Sequence, residues 1–258
     1  MLFHMPDHAQ VAELWTLEER IGRMHRGALA AQVDLTHPHL GLHEIRWEAA
    51  PLRGRLLALT PSNADSLWPA KLADAYVRGQ DLIATFAGTD DWPYAPQVYW
   101  SIEPAGSRDA VLAALSLVVS VQTNLLDTHP HIDVSSRLPA DELLCLSLVG
   151  DDVRVAAQIA REPAIDPRAR ARGLLWRLPG GRLSYAEITP ASDFHQLSVI
   201  RHESGEFQSR WELFAEFLEK GVIRRARLHS LFLPRENDVQ LAAESCRTLQ
   251  SRPLPLTT

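Results

Sequence analysis

Trp92-Pro93-Tyr94 and Tyr99-Trp100 crowd aromatic rings into one short stretch, with Trp68 and Tyr76 upstream. Arg78, Asp81, Asp90 and Asp91 surround them. Sugar rings present C–H faces that stack on flat aromatic rings, while carboxylates and guanidinium groups hydrogen-bond the hydroxyls. Arg78, Asp81, Trp92, Tyr94 and Trp100 are therefore the candidate ligand-binding residues, for a carbohydrate. A second reading is equally physical: if this segment is a half-buried strand, Tyr99 or Trp100 must face the core. Further along, Asp193-Phe194-His195 follows Pro190 and lies near Glu187. A histidine beside carboxylates can move protons near neutral pH, which makes Glu187, Asp193 and His195 candidate acid–base groups.

His37, His39 and Glu44 have the spacing His-x-His-x4-Glu. It resembles the first metal motif of the cupins, in which alternate strand residues bring two imidazoles and a carboxylate to one ion. The flanking glycines of that motif are replaced near Ala31 and Pro51, its second motif is not visible, and Pro38 argues for a turn. Surface or turn histidines are the competing expectation, and the same holds for His129, His131 and Asp133. Thr36-His37-Pro38-His39 is echoed by Thr128-His129-Pro130-His131, although the flanks do not match. Cys145 sits within an apolar run and Cys246 on an apolar helical face, the usual places of inert core cysteines. Arg225, Arg227 and His229 alternate, as do Arg168, Arg170 and Arg172, so on a strand each set makes one basic face; a solvated sheet face or loop is expected, with phosphate or nucleic-acid contact as the alternative. No nucleophile elbow, phosphate-binding loop, dinucleotide-binding glycine run or zinc-protease helix is present, and no cofactor is expected.

Composition narrows the classes. The 258 residues are 46% hydrophobic and 22% charged with net charge -6, which excludes disorder as the main state. With a pI near 6.0 there is no global basic field for nucleic acid or an anionic membrane. Two cysteines do not make a secreted disulfide scaffold. The N-terminus lacks the pattern of a signal peptide, and the longest uncharged run, Ala110 to Leu126, is too short to span a bilayer. A soluble, cytoplasmic protein without membrane or nucleic-acid partners is expected, and a homo-oligomer fits as well as a monomer.

The elements that must position these groups are mostly strands. Leu115, Leu117, Val119, Val121, Thr123 and Leu125 alternate with a mixed set, the period of a long half-buried strand. Shorter segments recur at Leu42 to Trp47, Arg55 to Leu59, Ala75 to Val77, Leu82 to Phe86, Gln97 to Ile102, Leu143 to Val149, Val153 to Ile159, Leu174 to Leu178, Leu183 to Ile188, Leu197 to Arg201 and Val222 to Phe232. Turn residues separate them, as in the hairpin expected around Pro51 and Gly54. Ser209-Arg210-Trp211-Glu212 has the capping-box form and predicts a short helix near 210–220, ended by Gly221. Val239, Ala242, Ala243, Cys246 and Leu249 predict a C-terminal helix. Leu14, Leu17, Ile21 and Met24 allow another at the start. Glu162 to Arg172 reads as a surface loop. No Gly/Ser-rich linker appears, so one domain over 1–258 is expected: mainly β, a large antiparallel sandwich.

A strand through Leu29, Ala31, Val33 and Leu35, then Pro38, then Leu40-Gly41-Leu42 and a second strand, resembles the opening of galactose-mutarotase-like supersandwich proteins. The resemblance covers about the first fifth of the chain and the later strand pattern. It implies a sugar-facing sheet, with a His and a Glu as acid and base in the true epimerases. Asn124 with His129 is the loose counterpart of the family's catalytic histidine region, which makes His129 a candidate, but no matching Glu follows. The resemblance so implies a carbohydrate-binding or recognition protein without strong catalytic activity. The alternatives are an aldose epimerase-like enzyme working by His/carboxylate acid–base chemistry, and an oligomeric structural or interaction protein.

Overall fold

The computed structural model describes residues 14–61, 68–103, 110–149, 152–156 and 171–251. Its strands are, in chain order, β1 (Trp15–Glu18), β2 (Ile21–Arg26), β3 (Leu29–Asp34), β4 (Leu42–Trp47), β5 (Ala50–Pro51) and β6 (Arg55–Pro61). Then come β7 (Lys71–Arg78), β8 (Asp81–Ala87), β9 (Gln97–Ile102), β10 (Ala113–Val121), β11 (Ile132–Pro139) and β12 (Glu142–Val149). The last are β13 (Asp152–Ala156), β14 (Ala171–Arg177), β15 (Leu183–Ile188), β16 (Gln196–Arg201), β17 (Glu206–Glu212) and β18 (Arg224–Pro234), followed by the helix α1 (Asp238–Ser251).

The strands form two antiparallel sheets. The first runs β1-β2-β3-β4-β6-β11-β17-β16, with β5 on β4; the second runs β13-β12-β14-β15-β18-β10-β9-β8-β7. Alternation explains how they pack. On β10 Leu115, Leu117 and Val119 enter a core shared with Val33, Leu59, Val134 and Trp211 of the first sheet. Ser116, Val118 and Ser120 point the other way, as successive strand side chains must. Part of that outer face is covered by α1, whose Leu241, Ala242, Cys246 and Leu249 pack on Leu144, Leu175, Ile188, Leu231 and Leu233. Arg177 and Ser184 hold the helix start through Asp238. Cys145 and Cys246 are buried, and burial pushes the Cys145 thiol up to about 11. Among the described residues no helix is long and apolar enough to cross a membrane.

Several expectations are corrected. The helix near 210–220 does not exist: Phe207, Ser209 and Trp211 are buried at alternate positions of β17. Their period of two overrides the local capping-box spacing. The Ser209 hydroxyl serves Glu187 rather than a helix end, and Glu212 meets His131 at 3.1 Å. Leu14 to Met24 is the β1–β2 hairpin, with Glu19 at φ 53° in its turn. β4 forms its hairpin with β5, and meets β6 only at Leu42–Leu56. The hairpins β7–β8, β12–β13 and β14–β15 are as expected, although residues 157–159 of the expected strand Val153 to Ile159 lie outside the described residues. The expected loop Glu162 to Arg172 lies outside the described residues up to 170, and Ala171 already begins β14.

Gly41 shows how tightly the first sheet closes. It stands at φ 64°, and a Cβ there would lie 2.3 Å from the Leu56 carbonyl oxygen and 2.6 Å from the Ala58 nitrogen. Backbone cannot yield as a flexible side chain would. Gly41→Ala is expected to lower the unfolding free energy by about 2–4 kcal/mol, read as a fall in denaturation midpoint.

Candidate functional site

Three cross-strand rows build a polar patch on the outer face of the second sheet. Ser101, Ser116 and His229 stand opposite one another on β9, β10 and β18; so do Tyr99, Val118 and Arg227, and Gln97, Ser120 and Arg225. Asp81 and Thr85 of β8 extend the first and third rows. The register links the side chains: Tyr99 donates to Gln97 Oε1 at 2.7 Å, and Gln97 Nε2 donates to Thr85 Oγ1 at 3.1 Å. His229 is held at both ring nitrogens, with Glu103 Oε1 3.0 Å from Nδ1 and Ser116 Oγ 3.4 Å from Nε2. A carboxylate on one nitrogen fixes the tautomer and orientation of the ring, which is how an imidazole is prepared for proton transfer.

Beside this patch, β15 ends at Ile188 opposite His229, leaving the earlier β18 residues without that neighbour. The turn at Pro190 supplies one. Asp193 Oδ2 accepts from both the backbone N–H and the Nε of Arg227, each at 3.1 Å. Both side chains are almost fully buried. Next to this pair is a pocket of ≈ 150 Å³ between the loops at Pro130, 191–195 and 213–216 and the start of β18. Phe194, Leu213, Phe214 and Pro130 supply apolar surface, His195 an imidazole, and Asp193, Glu216, Arg224 and Arg225 charge. Glu216 and Arg224 pair at 2.8 Å at its exposed rim. Phe194 rests edge-on against Trp211, with centroids 5.0 Å apart, so the pocket lining is joined to the core.

The sequence-derived candidates divide accordingly. Asp193 and His195 share the pocket. Glu187 is not in it: it lies fully buried between the sheets. His129 is exposed, edge-on to Phe217. The proposed aromatic wall does not form. Trp100 is 1% exposed on the core side of β9 and Tyr94 is buried, so neither presents a stacking face. Trp92 is half-buried between Trp68 and Tyr94, at 5.3 and 5.0 Å. Arg78 and Asp81 oppose each other at the β7–β8 turn, Asp81 in line with His229 and Ser116. His37, His39 and Glu44 do not converge: the imidazoles lie at the 3-10 turn Pro38–Leu40, while Glu44 is exposed on β4 at φ 50°. Among the described residues no three His, Cys, Asp or Glu side chains gather as for a metal. Asp133 is instead paired with Arg210.

Sequence reasoning missed Glu103, Ser116 and His229 as a group. The alternation of Arg225, Arg227 and His229 is the available signal, but alternation of polar side chains does not by itself separate a solvated face from a buried one; Arg227 and His229 are buried.

No protein-family model and no curated protein matches the chain. Among solved structures it is similar to a galactose mutarotase-like protein from Lactobacillus casei, with 11% identity over 81% of this chain and 99% of that one, at a TM-score of 0.53. It is also similar to galactose 1-epimerase from Lactobacillus acidophilus, with 7% identity over 83% and 94% of the two chains and a TM-score of 0.48. The fold is that of the galactose mutarotase-like β-sandwiches.

Proposed function

We propose that this protein binds a carbohydrate of about monosaccharide size in the pocket at Asp193, His195, Phe214 and Arg225. The observation that carries the reading is the composition of that pocket: the buried apolar side chains of Phe194, Phe214 and Leu213 beside the charged Asp193, Glu216, Arg224 and Arg225. Such a combination suits a ring with C–H faces and peripheral hydroxyls. The galactose mutarotase-like fold adds support at the level of architecture only. Calorimetric titration with a panel of neutral monosaccharides tests it. Saturable heat is expected in the wild type, with affinity about tenfold lower in Phe214→Ala, since losing one apolar wall is a change of one to a few kcal/mol. Absence of heat from the whole panel at millimolar sugar would count against the reading.

A second reading is favoured by one further observation, the Glu103–His229–Ser116 alignment. With its Nδ1 held by Glu103, His229 is placed to exchange a proton at Nε2, the step an aldose epimerase-like reaction needs at the ring oxygen or anomeric hydroxyl. In this reading the protein interconverts sugar anomers. Polarimetry of fresh sugar solutions would then show catalysed mutarotation that falls about a hundredfold or more in His229→Asn, the usual range for a general acid–base group. Unchanged catalysis in that variant would remove His229 from the role.

A further inference from the structure

A second charged cluster lies on the other sheet, on the face turned away from the core. Arg55 of β6 and Arg137 of β11 stand directly opposite each other in the ladder, with Gln208 of β17 on the far side of Arg137. Like charges directly opposed across strands repel. Arg137 is compensated: its Nε and Nη2 donate to Glu206 Oε2 at 2.9 and 2.6 Å, and Ser204 donates to the same oxygen at 2.8 Å. Arg55 has no such carboxylate among the described residues, and its Nε is buried without a hydrogen-bond partner.

The 3-10 turn Pro38–Leu40 packs on β6 and adds His39 to this patch. His39 Nδ1 is likewise buried without a partner. The His37 ring lies edge-on to it, with centroids 5.6 Å apart, and is held by Asp34 at 2.8 Å. Two guanidinium groups and two imidazoles thus share one patch, and its carboxylates, Asp34 and Glu206, already serve His37 and Arg137. The crowding shows in the proton equilibria. Burial, then the charges of His37 and Arg55, push His39 down; burial, then Arg137, push Arg55 down. A metal cation would add to this positive charge. An anion would relieve it.

We propose that Arg55, His39 and Arg137 form a site for a phosphate-class oxyanion on the outer face of the first sheet, independent of the carbohydrate pocket. The guanidinium fork matches phosphate oxygens, and a tetrahedral dianion can take donors from several directions and offset more than one cation. A carboxylate, planar and singly charged, matches the cluster less well.

Inorganic phosphate, sulfate and acetate are the probes, each compared with chloride at matched ionic strength. Thermal denaturation and calorimetry are read for the wild-type protein, Arg55→Met and His39→Asn. The expected result is a saturable stabilisation of the wild type by phosphate and by sulfate, with acetate much weaker. Affinity for phosphate falls about tenfold in each variant, the scale of one charge-assisted hydrogen bond. In chloride alone at low ionic strength, Arg55→Met melts no lower than the wild type, because the opposed arginine pair has been relieved. Should Arg55→Met not fold, that contradicts the expected relief, and His39→Asn still reads the anion response. Phosphate responses equal in the wild type and His39→Asn, or no response beyond chloride, would overturn the site. An acetate response as strong as that of phosphate would overturn its assignment to phosphate-class anions.

Discussion

Glu187→Ala is expected to lower the unfolding free energy by about 3–5 kcal/mol, the cost of leaving several buried donors without their shared acceptor. Glu187 Oε1 accepts from the Tyr185 hydroxyl at 3.0 Å, and Oε2 accepts from Ser209 at 2.7 Å and Trp211 Nε1 at 2.8 Å. Tyr185 and Glu187 stand on β15 of the second sheet; Ser209 and Trp211 stand on β17 of the first. Ser136 of β11 adds a further bond. The carboxyl is thus a polar rivet through an otherwise apolar core. Alanine leaves buried donors without an acceptor, each an added penalty. Glu187→Gln keeps the shape and one acceptor oxygen, while its amide can donate to the Tyr185 oxygen, because Tyr185 can redirect its proton to Ser230, 2.9 Å away.

The same group sets a pH dependence. Burial raises the Glu187 carboxyl above its ordinary 4.5, and the bonds from Ser136, Trp211, Ser209 and Tyr185 offset part of that rise. The folded state therefore holds this proton more tightly than the unfolded state. Its stabilising contribution is full below 4.5 and is lost as pH rises through the folded value. Denaturant midpoints measured upward from that pH should fall more in the wild type than in Glu187→Gln. A wild-type profile that instead rises relative to Glu187→Gln over this range would show the carboxyl to be stabilised as the anion.

Asp193→Ala is the second large effect, also about 3–5 kcal/mol. The carboxylate is nearly sealed, and it answers both the Nε and the backbone N–H of Arg227 where β15 no longer runs beside β18. Its removal withdraws the counter-charge from a buried guanidinium and opens one wall of the pocket. Chemical denaturation should report the loss of stability. Asp193→Asn keeps an acceptor and should recover part of it, though not the charge. If Asp193→Ala were as stable as the wild type, the Asp193–Arg227 pair would not be the link between pocket and sheet.

Much of the fold was legible because strand alternation is a local signal. The β10 pattern of leucines and valines against serines carries through to a core side and an outer side, and Val239 to Leu249 folds as the helix its spacing predicts. The failure at β17 is equally instructive. Ser209 and Glu212 have a capping spacing, but Phe207, Ser209 and Trp211 must all point inward, and burial of Trp211 outweighs a helix cap. The site was less legible because its geometry is a matter of register. Glu103 meets His229 only because β9, β10 and β18 lie side by side. Tyr99 and Trp100 are neighbours in sequence yet face opposite sides of the sheet, which divides the expected aromatic wall. Asp193 and His195 share the pocket with little help from register, since their short spacing puts both in a single loop.

A sugar bound in the pocket should be reported by tryptophan emission, because Trp211 touches Phe194 of the pocket lining. Titration of the wild-type protein with neutral monosaccharides should give a saturable change in emission at millimolar sugar or below. The same titration of Arg225→Ala should need about tenfold more sugar, the loss expected for one charge-assisted hydrogen bond. A response equal in both proteins, or none in either across the panel, would contradict a carbohydrate site at this pocket.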